Sequence, residues 1–188
     1  MKRYDIINKL IKDNGYKSYL EIGTQSGQCL SRVVCEYKIG VDPAPIDVIE
    51  GSCNEHYELT SDEYFDINIE KFDIAFIDGL HHSDQVIIDI NNVLDILNDG
   101  GCIVVHDSSP EKEEYTCVPE QHLPTWNGDV YKAILHFRQD PNLYIETYNT
   151  DQGCAVIRRG TQKPLGDVVI NWENFDKNRA EWLNIVEL

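Results

Sequence analysis

The chain has 188 residues, 41% hydrophobic and 10% aromatic, which are the proportions of an ordinary globular protein. Its 16 basic residues against 33 acidic ones leave a formal net charge of −17. Neutralising phosphates takes clustered Lys and Arg, and only short pairs such as Arg158-Arg159 are present, so nucleic acid and anionic membrane surfaces are disfavoured as partners.

No apolar run approaches the ~20 residues of a membrane span, and the start Met1-Lys2-Arg3-Tyr4-Asp5 lacks the pattern of a signal peptide. The cysteines are scattered without a C-x-x-C pair, so reduced thiols in a cytoplasmic protein are expected rather than a zinc cluster. No repeat or linker divides the chain, and a single domain over 1–188 is predicted. Oligomeric state stays open at this level, a homodimer included.

Apolar residues at helical spacing predict a first helix over Tyr4–Lys12, ended by Asn14-Gly15. Strand one follows at Ser18–Ile22 and breaks into Gly23-Thr24-Gln25-Ser26-Gly27, with a helix expected from Gly27 to about Glu36. Strand two is Tyr37–Val41, stopped by Asp42-Pro43. Residues 44–56, with two early prolines and a Gly-Ser-Cys-Asn cluster, do not suit a long helix. A short third strand is expected at Tyr57–Leu59, and Thr60-Ser61-Asp62-Glu63 caps a helix running through Phe65.

The apolar strand Phe72–Ile77 ends at Asp78-Gly79. Helical spacing runs from Ser83 to Leu97, and Asp99-Gly100-Gly101 closes it. Cys102–Val105 is the next strand, ending at His106-Asp107. Residues 108–127 form a long polar loop, then Asp129–Phe137 is helical. Leu143–Tyr148 and Cys154–Ile157 read as a hairpin, and Trp172–Val186 as a last helix. Short apolar strands alternating with helices predict an α/β, Rossmann-like, doubly wound sheet, mostly parallel and seven-stranded, with a C-terminal antiparallel hairpin and helices on both faces.

In such sheets ligands bind beyond the carboxyl ends of the strands. An acid stands there after each predicted strand: Glu21, Asp42, Asp62, Asp78 and Asp107. Glu21 with Gly23 and Gly27, but without the middle glycine of G-x-G-x-x-G, suits a cofactor bearing a cationic amine better than a diphosphate. Asp42 is placed to accept from ribose hydroxyls, or to close an Asp-Pro turn. Asp62 is placed to accept from an adenine amine, or to cap a helix together with Ser61. Asp78 falls where the reacting group lies, in a catalytic, metal-binding or cofactor-amine role.

The pattern E-x-G-x-x-x-G at Glu21–Gly27 resembles motif I of class I S-adenosylmethionine-dependent methyltransferases. The block Phe76-Ile77-Asp78-Gly79-Leu80-His81-His82, followed by Gly100–Asp107, is similar to the D-G-x-H segment and next strand of a family of small class I methyltransferases. Thr60–Phe65 looks like that family's T-S-D-E-F-F segment, and Trp126–Ala133 like its W-x-G-D-V-x-K-A segment. These matches cover most of residues 18–157. The resemblance implies S-adenosylmethionine held by Glu21, Gly23, Thr24, Gln25, Gly27, Asp42, Ser61, Asp62 and Asp78.

A wider resemblance to catechol-type O-methyltransferases implies Mg²⁺ or Mn²⁺ on Asp78 and Asp107. Ser108 stands where that pattern has Asn, leaving the third ligand open between His81 and His106. His81 is the first candidate base, His106 the second and His82 a distant third. The loop over 108–127 is expected to form the acceptor pocket or a lid, with Tyr115, His122 and Trp126 as flat surfaces for a sugar ring. The expected reaction is O-methylation of a sugar or other small hydroxylated acceptor. An NAD-dependent oxidoreductase and a catalytically silent cofactor-binding module are the rivals, and a nucleic-acid methyltransferase fits the charge worst.

Overall fold

The computed structural model describes residues 1–46, 51–121 and 123–187. Its strands are β1 (Ser18–Ile22), β2 (Tyr37–Val41), β3 (Glu55–Tyr57), β4 (Phe72–Ile77), β5 (Leu97–Val105), β6 (Leu143–Tyr148), β7 (Cys154–Arg159) and β8 (Ile185–Val186). They form one sheet in the order β3-β2-β1-β4-β5-β7-β6-β8. The run from β3 to β5 is parallel, while β7 lies antiparallel to both β5 and β6. The strand order reverses between β1 and β4, and in such sheets that switch point is where a ligand crevice opens. Among the described residues no helix is long and apolar enough to cross a membrane.

The helices are α1 (Arg3–Asn14), α2 (Ser61–Ile67), α3 (Ser83–Ile96), α4 (Val130–Phe137) and α5 (Trp172–Trp182). Successive strand residues point to opposite faces, so β1 sends Tyr19 to one core and Leu20 and Ile22 to the other. The first face packs under α1, whose Ile6, Ile7, Leu10 and Ile11 are buried, each side chain contributing roughly 2 kcal/mol. The opposite face takes Val86, Ile90 and Val93 of α3, then α4, then Phe175 and Trp182 of α5. Gly15 ends α1 in the left-handed conformation, φ 69°, as Asn14-Gly15 predicts. Thr60 and Glu63 form the expected capping box on α2.

Several elements differ from expectation. No helix forms over 27–36; the chain there makes a series of turns. Cys, Ser and Val are poor helix formers, and side chains from elsewhere take the backbone groups. Lys38 Nζ donates to the carbonyls of Leu30 and Val33 at 2.8 and 2.9 Å. Asn8 pairs with Arg32 O and Val34 N. The third strand begins two residues early, at Glu55, because it pairs with β2 from Ile39 onward.

β5 starts at Leu97 rather than Cys102, with an irregular register opposite Phe72–Ile74. The last helix stops at Trp182. Asn184 turns left-handed, φ 48°, and its side chain donates to Ile145 O, which lets β8 add an eighth strand beside β6. Of 44–56, residues 47–50 lie outside the described residues; the described remainder before β3 has no helix.

Glu21 of β1 lies beneath α1, only 1% exposed. The Tyr19 hydroxyl donates to Oε2, while Oε1 has no partner among the described residues. Burial pushes the carboxyl up to about 8, against the opposing Tyr19 hydrogen bond and with help from Asp78. A carboxyl with a raised folded pKa binds its proton more tightly when folded, so stability falls as pH rises from its ordinary value towards 8. The substitution Glu21→Gln is expected to raise the melting temperature by a few degrees at pH 8 and to change it little at pH 4.5. Equal shifts at both pH values in thermal melts contradict the placement of an ionisable Glu21 in this core.

Candidate functional site

The crevice is built by close backbone approach at the switch point. Gly23 N donates to Val41 O at 2.8 Å, and Asp78 N to Ile22 O at 2.8 Å, so the ends of β1, β2 and β4 are stitched together. Gly23 has φ 84°, and a Cβ there would lie 2.2 Å from Asp78 O. Only glycine lets the turn rest on the Asp78-Gly79 backbone. Gln25 is left-handed (φ 45°), and its N–H donates to Asp42 Oδ2 at 2.7 Å. Asp42 Oδ1 accepts from Ala44 N at 2.8 Å. Asp42 therefore organises the loop and still offers lone pairs to a ligand. Gly27, with φ 66°, donates its N–H to Thr24 O, and Thr24 Oγ1 lies 2.9 Å from His56 Nε2.

Ser61 and Asp62 open α2, and both accept from Gln85 Nε2 of α3, at 3.3 and 2.9 Å. Their hydrogen bonds run to α3 rather than to the glycine loop.

Asp78, His81, His106 and Asp107 converge beyond β4 and β5. His106 N donates to Ile77 O, holding the two strand ends level. His106 is buried, with Nδ1 3.1 Å from Asp78 Oδ1 and 3.0 Å from Asp107 Oδ2. Burial opposes its charge, yet the Asp78 and Asp107 carboxylates prevail and hold it up at about 10. That raised pKa favours the imidazolium, which suits a charge partner for the two acids in the residue that the sequence offers as second choice of base. Asp78 is pushed up by burial, but His106, His81 and Arg3 outweigh that and keep it well below the usual carboxylate range.

His81 bridges the acids. Its Nε2 is 3.4 Å from Asp78 Oδ1, and its Nδ1 is 3.4 Å from Asp107 Oδ2. Burial lowers its pKa, and the facing carboxylates of Asp78 and Asp107 raise it above the ordinary value.

The segment from Trp126 to Asp129 clasps this histidine. Trp126 stacks on the His81 ring with centroids 5.0 Å apart, so that face of the indole is not free for a sugar. Asn127 Nδ2 donates to Asp107 Oδ1 at 2.8 Å, and the residue is fully buried. Asp129 Oδ1 accepts from Ser83 N at 2.6 Å at the start of α3. His82 precedes α3, its ring edge-on to Trp126. Tyr115 is half-buried under Lys112, and His122 lies outside the described residues.

Three site residues carry no sequence signal of their own. Arg3, 75 residues away from Asp78, donates from Nη1 to Asp78 Oδ2 at 2.6 Å. Its N–H and Nε both donate to Asp151 Oδ2 at 3.0 Å, in the turn between β6 and β7. Asn127 occupies the variable position of W-x-G-D, so its hold on Asp107 is visible only in three dimensions.

Asp78, His81 and Asp107 each offer one ligand atom, and these atoms lie within 4.8 Å of one another. Hard carboxylate oxygens with one imidazole suit Mn²⁺ or Mg²⁺. The open choice of third ligand thus falls geometrically to His81, since His106 Nδ1 faces the two acids as a donor. Ser108 Oγ is buried without a partner among the described residues.

Residues 20–108, which hold β1 to β5, match the family model described as a methyltransferase domain. No curated protein sequence matches the chain. Among solved structures it resembles the S-adenosylhomocysteine-bound methyltransferase PaMTH1 of Podospora anserina, at TM-score 0.65 and 18% identity, over 84% of this chain and 78% of that one. It also resembles an O-methyltransferase from Bacillus cereus in complex with SAH, at TM-score 0.57 and 15% identity, over 82% and 79%. A third is TomG of Streptomyces achromogenes, involved in tomaymycin synthesis and solved with SAM, at TM-score 0.61 and 12% identity, over 84% and 79%. At these identities the likeness is one of fold.

A Cβ on Gly128 (φ 57°) would lie 1.8 Å from His81 O. Gly128→Ala is therefore expected to cost on the order of 3 kcal/mol in urea denaturation. Wild-type stability in that variant would contradict the clasp.

Proposed function

We propose that this chain is a class I methyltransferase that O-methylates a sugar or other small hydroxylated acceptor with S-adenosylmethionine as cofactor, a reading supported by the match of residues 20–108 to a methyltransferase domain and by the fold it shares with the solved structures. The observation that carries this reading is the convergence of His81 with Asp78 and Asp107 at the switch-point crevice, directly beside the glycine turn. When bound, the cofactor supplies a methyl group on a positively charged sulfur. Gly23, Thr24, Gln25 and Gly27 shape the loop that receives its amino-acid end, and Asp42 accepts from the ribose hydroxyls. Glu21 supports that loop from below, and Ser61 with Asp62 is assigned to the adenine side.

His81 acts on the acceptor. Its Nδ1 and Nε2 each lie 3.4 Å from a carboxylate, of Asp107 and Asp78 respectively, and Nε2, on the Asp78 side, takes the hydroxyl proton. With the cofactor bound to supply its methyl group, His81 would hold the proton that the acceptor hydroxyl gives up. Asp78 and Asp107 stabilise the imidazolium so formed. Arg3 and His106, both hydrogen-bonded to Asp78, keep that acid ionised.

A second reading is favoured by the ligand-sized cluster of Asp78, His81 and Asp107. A divalent cation held there by Asp78, His81 and Asp107 would polarise the acceptor oxygen, and His81 would be a ligand instead of the base. Arg3 would keep its place on Asp78 Oδ2.

Calorimetric titration with S-adenosylmethionine is expected to show binding that weakens about tenfold or more in Asp42→Ala; unchanged affinity removes the ribose assignment. His81→Ala is expected to lose about 10²-fold or more in turnover with cofactor affinity kept. Wild-type activity that survives EDTA assigns His81 as the base. Loss in EDTA with recovery on Mn²⁺ makes it a ligand, and wild-type turnover in the variant removes it from both roles.

A further inference from the structure

Beside the catalytic cluster lies a cavity of about 310 Å³, bounded by the loop after β5, the turn between β6 and β7, and α5. We propose that this cavity is the acceptor subsite and that it takes a neutral polyhydroxylated ring, a monosaccharide unit, rather than a phenol or a phosphorylated compound. The inference rests on the methyltransferase reading given above and locates its acceptor.

Two walls connect cavity and cluster. Asp151 lines the cavity, and its Oδ2 lies 3.8 Å from His106 Nε2. Arg3 reaches from that same carboxylate to Asp78. His106 Nε2 and Ser108 Oγ are both buried without a partner among the described residues, and Ser108 packs against Gly153, next to the cavity-lining Gln152. An acceptor in the cavity thus sits against Asp151, whose carboxylate reaches Arg3 and lies 3.8 Å from His106 at the edge of the cluster.

The chemistry of the lining selects the ligand class. Neutral hydrogen-bonding groups come from Ser109, Asn149, Thr150 and Gln152, and among the described residues no aromatic side chain lines the cavity. Ser109 Oγ donates to Asn149 Oδ1 at 2.8 Å, leaving the amide nitrogen of Asn149 free to donate to a hydroxyl. The charged groups largely cancel. Asp151 is paired with Lys2 and Arg3, and Asp176 with Arg179, whose guanidinium also donates to Pro110 O. Glu111 is the remaining charge of the lining and is negative. Among the described residues a phosphate finds no unpaired cation there, and a flat phenol finds no ring to stack on. A polyol finds alternating donors and acceptors, which is what hydroxyl groups match.

Saturation-transfer NMR on the wild-type protein, with methyl β-glucoside, catechol and glucose 6-phosphate as separate probes, tests this directly. Binding of the glucoside in preference to the other two is expected, and its loss in Asn149→Trp, which fills the cavity from an exposed position. Cofactor affinity in Asn149→Trp, measured by calorimetry, is expected to stay within about twofold of wild type. Preference for catechol or for the phosphate overturns the proposal, as does glucoside binding undiminished in Asn149→Trp. A chain that binds the glucoside here but no S-adenosylmethionine would sink the methyltransferase reading and leave the cavity assignment supported. One that binds the cofactor but not the glucoside would do the reverse.

Discussion

The carboxylate of Asp78 is the constraint around which the rest of the molecule is arranged. It stands at the carboxyl end of β4, where burial alone would neutralise it, and it stays ionised because Arg3, His106 and His81 surround it. Removing one partner from such a buried pair costs about 3–5 kcal/mol, because the remaining charge is left without compensation. The first helix therefore has two roles. It covers one face of the sheet with Ile6, Ile7, Leu10 and Ile11, and its first residue delivers the guanidinium that keeps the reacting end of the crevice charged.

The same logic explains the need for two glycines at the site. Gly23 and Gly128 sit where backbone meets backbone, one beneath Asp78 and the other beneath His81. A side chain at either position would push apart the acid and the imidazole, whose present separation of 3.4 Å is what makes proton transfer or metal binding feasible. Trp126, Asn127 and Asp129 then fix the histidine, the second acid and the start of α3 from a single short segment. Pre-positioning of this kind supplies much of the catalytic advantage in group-transfer reactions.

Most of the architecture was legible in the sequence because it depends on local pattern. β1, β2 and β4 are apolar runs closed by an acid and a turn, and each falls where its residues predict. Helix 27–36 failed because side chains of Asn8 and Lys38, distant in sequence, took the backbone groups that a helix would have used. β8 was missed because two residues carry no period. The strand-end acids pointed to the crevice; Asp78 and His81 came from the D-G-x-H block and Asp107 from the end of the strand after it. Arg3 and Asp151 could not emerge, since their contact with the site comes from the packing of α1 against the β6–β7 turn. The charge of His106 was equally hidden, because its neighbours and not its position decide it.

A crystal structure of the protein with S-adenosylhomocysteine bound is the decisive test. The ligand is expected in the switch-point crevice, its ribose on Asp42 and its sulfur facing the space beside Asp78 and His81. A ligand lodged elsewhere, or one whose sulfur points away from His81, would contradict it.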